Sequence, residues 1–341
     1  MSNTIKRVLV TGSNGFLGRY VVSQLIARND SNVSVRCLVR VGSNLNRLDE
    51  GKVEIFRGSL DDPAAIPKML DGIDIVVHLA ASKGGSPMGM FAETVVSTEK
   101  LMTSLAESTV KKLVFCSSFS VYGASQLSTG AVFDEHCPVE PYPSKRDPYA
   151  WCKYYQEKWI KEHSADVDVV IVRPGVIYGE DQGLLSPRVG MHLPGLPIFL
   201  KIGGGAKVPL THVVNCADLI AAAALNSDVR NDTFNAVDDE CPTQSEYLEL
   251  YETEIGKIKK KVPLPYPVFV LACWSYDMLH GISKGNFPAI FSYYKAKSMY
   301  RRFEYSNNHA KTVLGWSPSV SLKDGIAESA AFIRAQDKRS D

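Results

Sequence analysis

The chain has 341 residues and a formal net charge of +1, so it is too long for one small domain and has no electrostatic reason to seek nucleic acid or an acidic membrane surface. Hydrophobic residues at 45% and charged residues at 22% match a globular protein with a sizeable core and exclude a disordered chain. Seven cysteines, an odd number with no Cys-x-x-Cys pair and no Cys/His cluster at metal spacing, point to reduced thiols and no bound metal.

The apolar run Val8-Leu9-Val10 follows the N-terminus with no leader before it, and the apolar stretch 268–274 is too short to span a bilayer. A soluble, cytoplasmic protein without a membrane span is expected. Through the first half, short β-branched runs alternate with helical patterns, which predicts βαβ units around a parallel sheet. Strands are expected at residues 7–10, 33–39, 53–57, 73–79, 112–116 and 167–172. Their continuous apolar character suits strands covered on both faces. Leu17, Val21 and Leu25 recur at helical spacing, as do Val95, Leu101 and Leu105.

Beyond Arg173-Pro174 the texture changes. Residues 175–207, rich in Gly and Pro, read as loop and short helix. A helix from about 216 to 225 and a strand over 233–237 return the chain to the sheet. Residues 241–300 read as helical with Pro breaks, and Leu322, Ile326, Ala330 and Ile333 mark an amphipathic closing helix.

Thr11-Gly12-Ser13-Asn14-Gly15-Phe16-Leu17-Gly18 sits between the first strand and the first helix. A turn this tight needs a residue tolerant of positive φ, and a dinucleotide pyrophosphate must approach the backbone with no Cβ in the way. The helix N-terminus then presents free N–H groups and a positive dipole end to the phosphates. Gly12, Asn14, Gly15, Phe16, Leu17 and Gly18 are therefore candidate cofactor-binding residues. The expected fold is α/β, a Rossmann doubly wound parallel sheet over residues 1–180 that 208–240 rejoin. A smaller, mostly helical substrate-binding region would comprise 181–207 and 241–341.

At the end of the second strand an acid suits the ribose 2′-OH of NAD and an Arg suits the 2′-phosphate of NADP. The sequence reads Cys37-Leu38-Val39-Arg40, with Ser43 close by and no acid until Asp49. NADP is favoured, with NAD as the alternative and a solvated loop cation as the other role open to Arg40.

Tyr149 and Lys153 stand four apart, on one face of a helix that Asp147-Pro148 would start. A tyrosine of ordinary pKa is a poor base at neutral pH, and lowering it by about three units needs roughly 4 kcal/mol. A lysine cation about 4 Å away at an effective dielectric of about 20 supplies roughly that much. Lys153, helped by a positive nicotinamide, is therefore expected to make the Tyr149 phenol acidic. Ser118, at the carboxyl end of a strand, adds a hydroxyl that can polarise a substrate oxygen.

With the glycine turn, the serine strand and the Tyr–Lys helix in this order, the chain resembles the extended short-chain dehydrogenase/reductase family. That family includes nucleotide-sugar epimerases and dehydratases, dihydroflavonol-type reductases and 3β-hydroxysteroid dehydrogenases. The likeness extends to His78-Leu79-Ala80-Ala81, Arg173-Pro174-Gly175-Val176-Ile177-Tyr178-Gly179, His212-Val213-Val214-Asn215-Cys216-Ala217 and Leu314-Gly315-Trp316-Ser317-Pro318. It implies Ser118, Tyr149 and Lys153 as the catalytic triad, Lys153 also holding the nicotinamide ribose, and Ala80, Ala81 and Val176 as cofactor-lining residues. It also implies a small-molecule substrate and a homodimer.

Departures from the family pattern narrow the reaction. Relatives often carry Gly-Asp-Leu after the third strand, whereas here Gly58-Ser59-Leu60-Asp61 leaves the adenine contact to Ser59 or Asp61, beside Leu60. Thr94 and Ser97 replace the usual helix Asn and Gly, and Phe119 and Ser120 replace the Asp-Glu of sugar dehydratases. Val208-Pro209-Leu210-Thr211 lacks the Arg that grips a sugar diphosphate, with Lys207 or Arg188 as a weaker substitute. The remaining resemblance is to the reductase and hydroxysteroid-dehydrogenase branch, which implies a ketoreductase or alcohol dehydrogenase. A nucleotide-sugar 4-epimerase or 4-ketoreductase and a non-catalytic dinucleotide-binding protein are the alternatives. The apolar residues 269–279 either suit a fairly hydrophobic substrate or pack the smaller region, and 184–200 is the other expected pocket wall.

Overall fold

A computed structural model describes residues 5–28, 32–164, 166–193, 195–282 and 292–340. In chain order the strands of its first half are β1 (Lys6–Thr11), β2 (Val33–Val39), β3 (Glu54–Arg57), β4 (Ile75–His78), β5 (Lys112–Cys116) and β6 (Val132–Phe133). The second half contributes β7 (Asp168–Pro174), β8 (Val176–Tyr178), β9 (Met191–His192), β10 (Phe199–Ile202), β11 (Leu210–His212), β12 (Asp232–Ala236), β13 (Lys261–Leu264) and β14 (Glu304–Tyr305). Seven of them form one parallel sheet in the order β12-β7-β5-β4-β1-β2-β3. The order reverses between β1 and β4, so a crevice opens at the carboxyl ends of those two strands, where open α/β sheets bind ligands.

The alternation of strand side chains divides the core. Val8 and Val10 of β1 point to one face, where they meet α1 (Phe16–Ala27), and Leu9 points to the other. On that second face lie α2 (Ile66–Leu70), α4 (Ser97–Leu105) and α5 (Pro148–Glu162), which bury Met69, Leu101 and Ile160; the short α3 (Pro87–Phe91) leads into α4. The first face is completed by α6 (Val213–Leu225), whose run of alanines lets it lie close to the strands and to α1. The two-sided cover explains why the expected strands read as unbroken apolar runs. Fold class and central strands agree with the expectation. The strand expected at 233–237 is β12, beside β7 at one sheet edge, and the helix expected from 216 begins at Val213, one turn earlier.

Residues 175–207 correct the reading of loop and short helix. They contain β8, which pairs in parallel with β11, and β9 and β10, which join β13 in a three-stranded sheet. Each strand is two to four residues long, too short to show a period in sequence, and β8 and β10 have partners far along the chain. Pro263 is tolerated within β13 because that strand is at the sheet edge.

Beyond α6, the chain forms α7 (Gln244–Glu254), α8 (Tyr266–Ile282), α9 (Tyr293–Tyr300), α10 (Asn308–Leu314) and the closing α11 (Leu322–Ser340). Phe269 and Cys273 on α8 pack against Ile202, Ala296 and Tyr300, while Val268, Leu271, Trp274 and Met278 face outward. Leu322, Ile326 and Ala330 of α11 are buried as their spacing predicts. Among the described residues, no helix is long and apolar enough to cross a membrane.

Candidate active site

The turn after β1 is shaped by what a Cβ would strike. Gly12 has φ +68°, and a Cβ there would lie 3.0 Å from the Ala80 backbone nitrogen. At Gly18 a Cβ would fall 2.1 Å from the Gly12 carbonyl oxygen, so only glycine lets α1 start this close to the turn. Gly15 caps α1 without a side-chain bond, which leaves the first helical N–H groups available to an anion. Asn14 donates to the Asn44 carbonyl at 2.6 Å, while its Oδ1 is buried without a hydrogen-bond partner. These features fit a pyrophosphate cradle.

The turn borders a cleft of about 910 Å³, and every residue selected from the sequence as catalytic or cofactor-binding lines it. Gly12, Asn14, Gly15, Phe16, Leu17 and Gly18 form one border, and Arg40, Ser59, Leu60 and Asp61 lie at the ends of β2 and β3. Ala80 and Ala81 follow β4, Ser118 follows β5, Val176 opens β8, and Tyr149 and Lys153 project from the first turns of α5. Arg40 is mostly exposed and reaches Glu93 at 3.4 Å. Ser59 Oγ donates to Asp61 Oδ2 at 3.2 Å, so these two share one hydrogen-bonded corner.

Helix α5 starts where the sequence places it. Asp147 accepts the Ala150 N–H at 3.1 Å, Pro148 occupies the first turn, and Tyr149 and Lys153 fall one turn apart. Ser118 is extended; its Oγ accepts the Ser120 N–H at 3.1 Å and its hydroxyl hydrogen-bonds the Tyr149 phenol.

The electrostatics correct one expectation. Tyr149 is not made acidic. Burial pushes its pKa above the ordinary value, the neighbouring Cys116 thiol adds to this, and the Ser118 hydrogen bond opposes it only in part. Lys153 does not offset the burial, because it points elsewhere. Its ammonium donates to the Cys116 carbonyl at 2.8 Å and to Gln156 Oε1 at 2.9 Å. Burial also lowers the lysine itself to about 8, with the Lys83 cation adding to the effect.

Behind Ser118, Tyr149 and Lys153 lies a buried ion pair. Arg173 of β7 donates through Nη2 to Glu157 Oε1 at 2.5 Å and through Nε to Oε2 at 3.2 Å. Ser117 Oγ donates to the same carboxylate at 2.5 Å. Glu157 therefore locks α5 to β5 and β7 one turn after Lys153. Its place four residues beyond Lys153 was a readable signal on the same helix face. Gln156, which touches Lys153 directly, carried no signal that sequence reasoning used.

The remaining expectations divide by location. Arg188 lines the cleft, whereas Lys207 is held by Glu304 at 2.6 Å and is not part of the lining. Thr94 lies in a π-helical turn, Ala92–Val96, where its Oγ1 accepts the Ser82 N–H at 3.0 Å. Phe119 and Ser120 line the cleft, so its wall has no carboxylates at these two positions. Residues 269–279 pack or face outward and do not line the cleft; from 184–200, Ser186, Pro187 and Arg188 do. Among the described residues no cluster of His, Cys, Asp or Glu forms a metal site.

Comparison with known proteins gives the family and agrees with the fold. The UDP-glucose 4-epimerase of Vibrio cholerae is 26% identical over 351 residues, covering 98% of this chain and 97% of that one. The decarboxylating sterol-4-alpha-carboxylate 3-dehydrogenase of Candida albicans is 29% identical over 356 residues, covering 96% and 97%. The structure of Thermus thermophilus UDP-glucose 4-epimerase in complex with NAD shares the fold, with a TM-score of 0.71 at 22% identity over 96% of this chain and 99% of that one. The model of the NAD dependent epimerase/dehydratase family matches residues 8–236, and the chain belongs to that family.

Proposed function

We propose that the protein is an NAD(P)-dependent ketoreductase or alcohol dehydrogenase acting on the secondary alcohol or ketone of a small molecule. The carrying observation is the Tyr149 phenol, hydrogen-bonded to Ser118 and opening beside Lys153 on the cleft that the glycine turn borders. When bound, a nicotinamide supplies or accepts the hydride. The residues of this chain do the rest. Ser118 orients the ketone oxygen, and Tyr149, protonated at neutral pH, donates to that oxygen as negative charge develops. In the reverse direction the same oxygen accepts the proton of the alcohol. Lys153 has three N–H donors; two are engaged by Cys116 and Gln156, and the third is available to a ribose hydroxyl.

Substrate handling is assigned to the regions 181–207 and 241–341, in support of which Gln182, Ser186, Arg188 and Met299 line the cleft. These residues mix polar and apolar groups, which favours an amphiphilic ketone over a purely hydrocarbon one. A panel of ketones and oxo acids with NADPH or NADH tests the reading; absence of turnover across the panel refutes it. The Vibrio cholerae relative favours a second reading, a nucleotide-sugar 4-epimerase. Thermal shift with UDP-, GDP- and dTDP-sugars separates the two, since clear stabilisation by one of them supports the epimerase.

We assign NADP preference to Arg40, whose guanidinium must leave Glu93 to meet a 2′-phosphate. Arg40→Ala is expected to weaken NADPH binding about tenfold and leave NADH binding unchanged, since one exposed charged hydrogen bond contributes about 1.4 kcal/mol. Fluorescence titration reads both affinities. Equal wild-type affinities for the two cofactors overturn the assignment.

A further inference from the structure

A buried series of polar side chains joins the glycine turn to Lys153. Thr11 Oγ1 accepts the N–H groups of Leu79 at 3.2 Å and Ala80 at 3.3 Å, so its own proton goes to His78 Nδ1, 2.8 Å away. Burial holds His78 down to about 3, and the neutral ring then carries its hydrogen on Nε2, facing Thr98 Oγ1 at 2.9 Å. The Thr98 hydroxyl donates to the Thr94 carbonyl at 2.6 Å, which leaves its oxygen to accept from His78 and from Gln156 Nε2 at 2.8 Å. Thr11, His78, Thr98 and Gln156 are all fully shielded from solvent.

Only one orientation of the Gln156 amide satisfies this series. An ammonium donates and never accepts, so the amide oxygen must face Lys153. The Gln156 Nε2 also donates to the Ala80 and Thr94 carbonyls at 3.4 Å and lies 3.2 Å from His78 Nε2. Turned over, the amide would set its NH₂ against the ammonium and its oxygen against both carbonyls and Thr98, for the single gain of facing the His78 N–H.

We propose that Gln156 is a positioning residue, whose amide oxygen, braced by Thr98, His78 and Thr11, fixes the direction of the Lys153 ammonium and stabilises its charge. The residue acts through Lys153 and does not itself line the cleft. The titratable groups that face Lys153 are Cys116 from β5, Lys83 from the loop after β4, Cys152 and Glu157 on its own helix, and neutral His78 from β4. None of these supplies the side-chain acceptor that Gln156 does. The inference rests on Lys153 meeting the cofactor, as in the reading above.

Cofactor binding tests it without any substrate. NADPH or NADH, whichever binds more tightly, is titrated by fluorescence from about pH 6 to about pH 10 on wild type, Gln156→Leu and Gln156→Glu. Wild type is expected to lose affinity as pH rises through about 8, where Lys153 sheds its charge. In Gln156→Leu an acceptor is lost, and the limb is expected to move down by about one unit; in Gln156→Glu a carboxylate faces the ammonium, and the limb moves up by about one unit. A residue that merely packs would move both limbs the same way or neither. Should Gln156→Leu fail to fold, Gln156→Met, of similar length and without an amide acceptor, takes its place with the same expected downward shift. Coincident limbs, or no limb, in proteins with native circular dichroism overturn the proposal. Opposed shifts in proteins that reduce no ketone uphold Gln156 and remove the ketoreductase reading instead.

Discussion

Tyr149→Phe is expected to lower kcat for ketone reduction by roughly 100- to 10,000-fold, the usual weight of a positioned general acid, with cofactor affinity nearly unchanged. The phenyl ring keeps its packing beside Met90, Val95 and Cys152, so the fold should survive the loss of one hydroxyl. Steady-state kinetics paired with cofactor titration measures the split. Full activity in the variant would remove Tyr149 from proton transfer. The pH dependence sharpens the test. Because burial raises the phenol, Tyr149 stays protonated through the neutral range, and an alkaline fall in wild-type rate near pH 8 is expected from Lys153.

The second large effect is on stability. Glu157→Ala leaves Arg173 buried without its carboxylate, and breaking such a pair from one side typically costs about 3–5 kcal/mol. Both side chains are nearly inaccessible, at 4% and 3% exposure, so solvent cannot replace the partner. The Tyr122 ring, 4.6 Å from the guanidinium, compensates for little of a full charge. In a chain of 341 residues the loss corresponds to a fall in Tm of about 4–7 °C. Arg173 and the other cations around Glu157 hold its carboxyl at about 2 against burial, which acts the other way. A depressed carboxyl contributes stability that is complete above its unfolded value and is lost as pH falls toward the folded one. Wild type should therefore weaken between about pH 4.5 and pH 2, and the variant should lack that part of the acid sensitivity. Chemical denaturation at neutral and acid pH checks both statements; a loss below about 1 kcal/mol at neutral pH would show that Arg173 is held by other contacts.

How far the sequence carried the reading can be judged from particular elements. The central strands were legible because a strand covered by helices on both faces shows its burial directly as an apolar run, as in β4 and β5. The glycine turn and the Tyr149–Lys153 spacing were legible for a related reason: each is a local backbone geometry written within a few consecutive residues. By contrast, β9, β10 and β13 went unread because two to four residues give no period, and pairing Phe199 with Lys261 is decided by distant contacts.

Local spacing placed Tyr149, Lys153 and Ser118 on the right elements, and the apolar pattern determined the doubly wound sheet that brings their elements to one edge. Which way the lysine points was decided by the folded molecule alone. Cys116 and Gln156 draw its ammonium to themselves, and the surrounding protein raises the phenol so that the tyrosine keeps its proton. The same holds for Lys207 and Arg188, equivalent cations on paper until Glu304 engages one and leaves the other lining the cleft. Backbone geometry is a short-range property and survives in the order of residues. Charge and proton affinity depend on dehydration and on partners remote along the chain, and exist only once it has folded.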